Sequence, residues 1–91
     1  ILQVVTEYAD EEGTGRSVLQ LQFIDNQFTV VGYFHAGEHL GQGFECDVDL
    51  WNMIATENGQ QRQLDPVGFD ALNASDWTWD AAYERGFCTQ S

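Results

Sequence analysis

The chain has 91 residues, with 15 Asp or Glu against only 3 Lys or Arg, and its formal net charge at pH 7 is −12. Such a chain cannot neutralise a row of phosphates or hold an anionic lipid surface, which excludes proteins that bind nucleic acid or membranes. Hydrophobic residues form 43% of the chain and aromatic residues 13%, which is too apolar for a disordered acidic tail. The length fits one small acidic domain over residues 1–91.

The cysteine content bears on the compartment. Cys46 and Cys88 are the only two cysteines, and they lack the C-x-x-C spacing of zinc or redox sites, so we predict one disulfide between them. A disulfide implies an oxidising compartment, and we therefore expect a secreted or periplasmic protein; if both cysteines are reduced, we expect a cytoplasmic one. The chain begins at Ile1 rather than Met, which indicates a processed product or a segment cut from a precursor.

Residues 1–12 fit two different periods. Leu2, Val5 and Ala9 recur at helical spacing, whereas positions 2, 4, 6 and 8 alternate as they would in a strand. The acidic residues at positions 10–12 would be unfavourable at the carboxyl end of a helix. This segment is therefore a strand or a short frayed helix.

Segment 18–34 has the clearest pattern in the chain. Apolar and polar residues alternate on both sides of Asp25 and Asn26, two residues that tolerate positive φ, so we predict a hairpin with a two-residue loop. The pairs that this register predicts are Phe23 with Phe28, Leu21 with Val30, and Leu19 with Gly32. A third strand is predicted over residues 43–48, where Phe44, Cys46 and Val48 would point inward.

A change of period after this strand indicates a helix. Asp49 can cap a helix over residues 50–57, in which Leu50 and Ile54 lie one turn apart and which Gly59 would end. Residues 58–65 are polar and precede the only proline, Pro66, so we interpret them as a loop.

A second helix is predicted from Ser75 or Asp76, with Trp79 and Tyr83 on one face, ending at Gly86. The expected fold class is therefore α+β: an antiparallel meander of three to four strands with two carboxyl-terminal helices packed on one face. The disulfide would fasten the last helix to the sheet.

Residues 35–39 spell H-x-x-E-H, the signature of some zinc peptidases. In those peptidases the motif lies on a helix. Here Gly37 lies inside residues 35–39 and more glycines follow them, a pattern that is typical of a loop. We therefore expect no enzyme. His35, Glu38 and His39 could still hold a divalent metal ion at the surface, which is the one cofactor that the sequence suggests, and the alternative is a solvated loop without a ligand.

Acidic residues recur along the second predicted helix. Asp76, Asp80 and Glu84 stand four residues apart and would form one stripe, although like charges at this spacing cost about 0.2–0.5 kcal/mol per pair. Trp77 would be exposed beside the stripe, as many interface anchors are. These four residues form a candidate partner-binding surface; the alternative is a merely solvated helix face.

The leading hypothesis is a non-catalytic acidic protein-interaction module, such as an inhibitor or immunity-type protein, that docks on a basic partner. Adaptation to a saline milieu would produce the same charge without a partner. A second class is a homo-oligomer, or a subunit or segment of a larger secreted assembly that pairs through the apolar amino-terminal stretch. A third is a small metal-binding protein that uses the His35, Glu38 and His39 loop.

Overall fold

The structure is a computed structural model that describes residues 2–68, 72–78 and 81–89. In these ranges one antiparallel sheet holds six strands in chain order. The strands are β1 (Leu2–Asp10), β2 (Gly13–Ile24), β3 (Gln27–His39), β4 (Gln42–Asp49), β5 (Ile54–Glu57) and β6 (Gln60–Gln63). The described residues after β6 contain a 3₁₀ turn (Ala74–Asp76) and one four-residue helix, α1 (Ala81–Glu84). No helix in the described ranges is long and apolar enough to cross a membrane.

The predicted α+β fold is wrong, because the protein is nearly all sheet. Residues 50–53 form a turn and residues 54–57 form β5, where a helix was predicted. The Asp49 Oδ1 accepts hydrogen bonds from the backbone N–H of Trp51 (3.0 Å) and Asn52 (3.3 Å), as a helix cap would. Met53 then adopts a φ of 55°, a left-handed conformation that ends any helical path and sends the chain back along β4.

Tight turns explain why the sheet has more strands than predicted. Three of its hairpins have two central residues with positive φ, the conformation of a type I′ turn, whose twist matches that of the flanking strands. These turns are Asp25–Asn26, Leu40–Gly41 and Asn58–Gly59. The last one joins β5 to β6, so the predicted polar loop over residues 58–65 is wrong. Residues 2–10 form the strand that was one of their two predicted alternatives.

The register of the first predicted hairpin is right near its turn, where Phe23 pairs with Phe28 and Leu21 pairs with Val30. The predicted pairing of Leu19 with Gly32 is wrong because a bulge lies between the pairs of Gln20 and Leu21. Leu19 pairs instead with Tyr33.

The bulge inserts one extra residue, Val31, into β3 and therefore reverses which side chains of that strand share a face with Leu19. Beyond the bulge Tyr33 and His35 lie on the same face as Leu19, and Phe34 lies on the opposite face. We call the first face, which the described residues after β6 cover in part, the inner face. The opposite face is the outer face.

The core lies between the inner face and the described part of the carboxyl-terminal segment, residues 64–68, 72–78 and 81–89. Side chains that are nearly inaccessible to solvent come from both layers: Val30, Val48 and Leu50 with Leu72 and Phe87. The predicted disulfide between Cys46 of β4 and Cys88 is present, with 6.1 Å between their Cα atoms.

Arg62 makes a second attachment between the sheet and this segment. Its Nη2 donates to the Glu57 carboxylate (2.9 Å) and to the carbonyls of Gly86 (3.0 Å) and Phe87 (2.6 Å). A guanidinium can donate hydrogen bonds to several acceptors at once, so the Arg62 side chain satisfies backbone carbonyls of the turn that follows α1.

Candidate binding surfaces

A cleft of about 520 Å³ lies on the inner face between strands β1–β3 and the carboxyl-terminal segment. Its lining combines aromatic, aliphatic and hydroxyl side chains. The lining residues are Val4, Thr6, Tyr8, Ser17, Leu19, Tyr33, His35, Trp77, Thr78 and Tyr83. The bulge in β3 places Tyr33 and His35 here, so the cleft depends on that irregularity in the sheet.

His35 joins two tyrosines at the centre of the cleft. Its Nδ1 lies 2.7 Å from the Tyr83 hydroxyl and its Nε2 lies 3.2 Å from the Tyr8 hydroxyl. Burial lowers the pKa of His35 below its ordinary value of 6.5, so the imidazole is neutral at pH 7. Burial, followed by the nearby Tyr8 and Glu57 charges, raises the pKa of Tyr83, whose hydroxyl keeps its proton.

Trp77 forms one wall of the cleft. Its ring lies 6.0 Å from the ring of Tyr33 and stacks on Phe87 at 6.4 Å. The Arg85 guanidinium lies 5.7 Å from the centre of the indole ring, within the range of a cation–π interaction. Trp77 is therefore half-buried in packing contacts and not the exposed anchor that was predicted.

The predicted helical acidic stripe is not formed. Asp76 ends the 3₁₀ turn, Glu84 belongs to α1, and Trp77 between them is extended. The Asn73 Oδ1 accepts from the backbone N–H of Ser75 (2.8 Å) and so caps a single turn. Asp80 and Trp79 lie outside the described residues.

The strand geometry separates the three residues of the predicted metal site. His35 and His39 share the inner face of β3, whereas Glu38 points to the outer face, because side chains alternate along a strand. Four residues of strand span roughly 13 Å, too far for two imidazoles to share one ion. Among the described residues no group of three or more His, Cys, Asp or Glu side chains is placed to hold a metal ion.

The outer face carries an apolar row that ends in acidic residues on β4. Val5 pairs with Val18 and Val18 with Phe34, so the three side chains lie side by side across β1, β2 and β3. Asp47 of β4 continues this row, and Glu45 lies on the same face of β4. In the adjacent row of this face Glu7 lies opposite Arg16, with which it forms an ion pair (3.7 Å), and Glu38 lies one row further from Phe34. Sequence reasoning missed this surface because the bulge sets which face Phe34 occupies.

Strand β1 forms one edge of the sheet and pairs only with β2 among the described strands. Its apolar side chains are exposed on both faces. These residues are Leu2, Val4, Val5 and Tyr8. Edge strands with exposed backbone groups can pair with a further strand.

Comparison of the chain with protein-family models, with curated proteins and with solved structures found no match. A function is therefore inferred from the cleft, the outer face and the β1 edge alone.

Proposed function

We propose that the protein is a non-catalytic acidic interaction module that docks its outer face on a basic surface of a partner protein. The observation that supports this is the row of Val5, Val18 and Phe34 with the exposed carboxylates of Asp47 and Glu45 at its β4 end. Protein interfaces commonly combine an apolar centre, which contributes to affinity, with a polar rim. A partner with an apolar patch that has Lys or Arg at one end would complement this face.

The charge of the whole chain would act before contact. A net charge of −12 attracts a basic partner over distances set by the ionic strength, and such steering raises the association rate more than the affinity. The rim carboxylates of Glu45 and Asp47 are exposed, so each is screened by salt. Inhibition, by covering a basic catalytic or nucleic-acid-binding cleft of the partner, is the role that this surface fits best.

The test is capture of a partner from the native source, followed by association kinetics at low and high salt with two charge-reversal variants. Glu45→Lys/Asp47→Lys changes the outer face, and the matched control Glu11→Lys/Glu12→Lys makes the same charge change in the β1–β2 turn. We expect the first variant to slow association at least about tenfold and the control to have a smaller effect.

Three results would contradict the proposal: no basic partner, an association rate that ignores salt, or equal effects of the two variants. A chain that unfolds when salt is removed would favour adaptation to a saline milieu instead. Circular dichroism against salt concentration measures this directly.

A second candidate function is a subunit that assembles through the edge of β1. The exposed apolar side chains of Leu2, Val4 and Val5 at that edge favour it. It predicts a homo-oligomer at micromolar concentration, measured by sedimentation, and a weaker one in Val4→Lys, which adds a charge to the edge. A monomer at every concentration argues against self-assembly.

A further inference from the structure

We propose that the inner-face cleft is a binding site for a neutral, largely apolar small molecule with fused rings and one hydroxyl or carbonyl group. This site lies on the opposite side of the sheet from the proposed partner surface and is independent of it. Its volume of about 520 Å³ falls within the usual range for small-molecule sites, about 300–1,000 Å³.

The lining selects against charge. None of the described lining residues is Asp, Glu, Lys or Arg, and the histidine among them is neutral at pH 7 because burial lowers its pKa. A charged ligand would lose its hydration here without gaining a counter-charge. An anion would also be repelled by the chain's net charge of −12.

The walls favour flat rings. Leu19, Tyr33 and Trp77 present aliphatic and aromatic surface on the inner side, and aromatic rings prefer offset or edge-to-face contact with other rings. The cleft opens along β1, where Val4 is 46% exposed, and is closed at its inner end by Tyr33, which is 8% exposed. A ligand would therefore enter along β1 with its rings toward Trp77.

The hydrogen bonds of His35 provide for one polar group on the ligand. A neutral imidazole has one N–H and one acceptor nitrogen. One of the two tyrosine hydroxyls at its nitrogens, Tyr8 or Tyr83, must therefore donate to the ring while the other accepts from it. The accepting hydroxyl can still donate its own proton, and a hydroxyl or carbonyl oxygen of the ligand would receive it. A sugar, with many hydroxyls, would leave most of them unpaired against these walls.

The experiment uses the full oxidised chain and three probes that share the naphthalene ring system: 2-naphthol, naphthalene and 2-naphthoate. Titration is followed by Trp fluorescence and by amide shifts in ¹H–¹⁵N spectra, which locate the site. We expect 2-naphthol to bind at the cleft, naphthalene to bind about three- to tenfold more weakly for loss of one hydrogen bond, and the anion to bind more weakly than naphthalene.

Two substitutions test the location. Leu19→Trp fills the cleft and should abolish binding, whereas Val18→Trp adds the same side chain to the outer face of the same strand and should leave probe affinity unchanged. Because Val18 belongs to the proposed partner surface, that control would impair partner docking, so failure of one proposal is distinguishable from failure of the other.

Two further substitutions test the hydrogen bonding. Tyr8→Phe and Tyr83→Phe are measured separately. The variant that lacks the hydroxyl donating to the ligand should reduce 2-naphthol affinity toward that of naphthalene, and both variants should leave naphthalene affinity unaffected. Unchanged 2-naphthol affinity in both variants would overturn the proposed hydrogen bond. The proposal is overturned if no probe binds at millimolar concentration. It is equally overturned if the anion binds as well as 2-naphthol, or if Leu19→Trp binds like the wild type.

Discussion

Removal of the disulfide between Cys46 and Cys88 should cost the protein a large part of its stability. The two cysteines are 42 residues apart in the chain, and opening a loop of that length returns about 13 cal/mol/K to the unfolded chain, or about 4 kcal/mol at 25 °C. Domains of this size unfold with a free energy of roughly 5–14 kcal/mol. Loss of the disulfide would therefore leave the folded state only marginally more stable than the unfolded state.

The assay is urea unfolding of the oxidised wild type and of Cys46→Ala/Cys88→Ala, followed by far-ultraviolet circular dichroism. With a dependence on urea near 1.5 kcal/mol per molar, we expect the midpoint to fall by roughly 2.5 M. The reduced wild type keeps both buried sulfurs, so it separates the effect of the open loop from the effect of lost packing. A midpoint shift below about 0.5 M in both would refute the chain-entropy argument.

Three more measurements address other contacts. Burial lowers the pKa of His35 below 6.5, so as the pH falls the unfolded chain binds a proton at His35 before the folded chain does. The stability due to neutral His35 is therefore complete above pH 6.5 and is lost as the pH falls below it. Urea unfolding from pH 7 to pH 5 should show a smaller loss of stability in His35→Gln than in the wild type or in the exposed-site control His39→Gln. Arg62→Gln should destabilise the fold by about 1–3 kcal/mol in the same assay, because two carbonyls lose a charged donor, and a change near zero would contradict their importance. Thermal unfolding should show that Leu50→Ala, at a buried site, lowers the free energy of unfolding by about 2–5 kcal/mol, whereas Leu40→Ala, at an exposed site, lowers it by less than about 0.5 kcal/mol. Equal losses in the two variants would place Leu50 outside the core.

Sequence patterns predicted those parts of the sheet that depend on residues close together in the chain. The turn at Asp25 and Asn26 and the pairing of Phe23 with Phe28 depend on residues close in sequence, and both are present. The bulge at Val31 could not be predicted. Alternation alone does not show where an extra residue enters a strand whose apolar residues are consecutive, and both Val30 and Val31 are buried.

The incorrect prediction of a helix over residues 50–57 came from two ambiguous sequence signals. Leu50 and Ile54 have helical spacing, yet Leu50 can equally well begin a four-residue turn that Ile54 directly follows. Gly59 was interpreted as a helix end, although Asn58 before it makes the Asn-Gly pair that is typical of a type I′ hairpin. Weighting that pair above the spacing would have predicted β5 and β6.

The cleft was beyond local reasoning for a different reason. His35 and Tyr83 are 48 residues apart in sequence, and they meet only because the carboxyl-terminal segment folds back over the inner face. The H-x-x-E-H spelling drew attention to His35 as a metal ligand with His39. The strand instead points it toward two tyrosines, a contact that no spacing rule indicates.

The meander order of the strands has a consequence for the route of folding. Each strand pairs with its neighbour in the chain, so the sheet can grow by successive hairpins, each of which forms in about 1–10 μs, without closing a long loop. The bond from Cys46 to Cys88 joins distant residues and can form only after the carboxyl-terminal segment has folded back. With two cysteines in the chain, its oxidation has no wrong internal partner. Trp77 and Tyr83 belong to that segment, so we expect the cleft to assemble last, when the segment docks on the completed sheet.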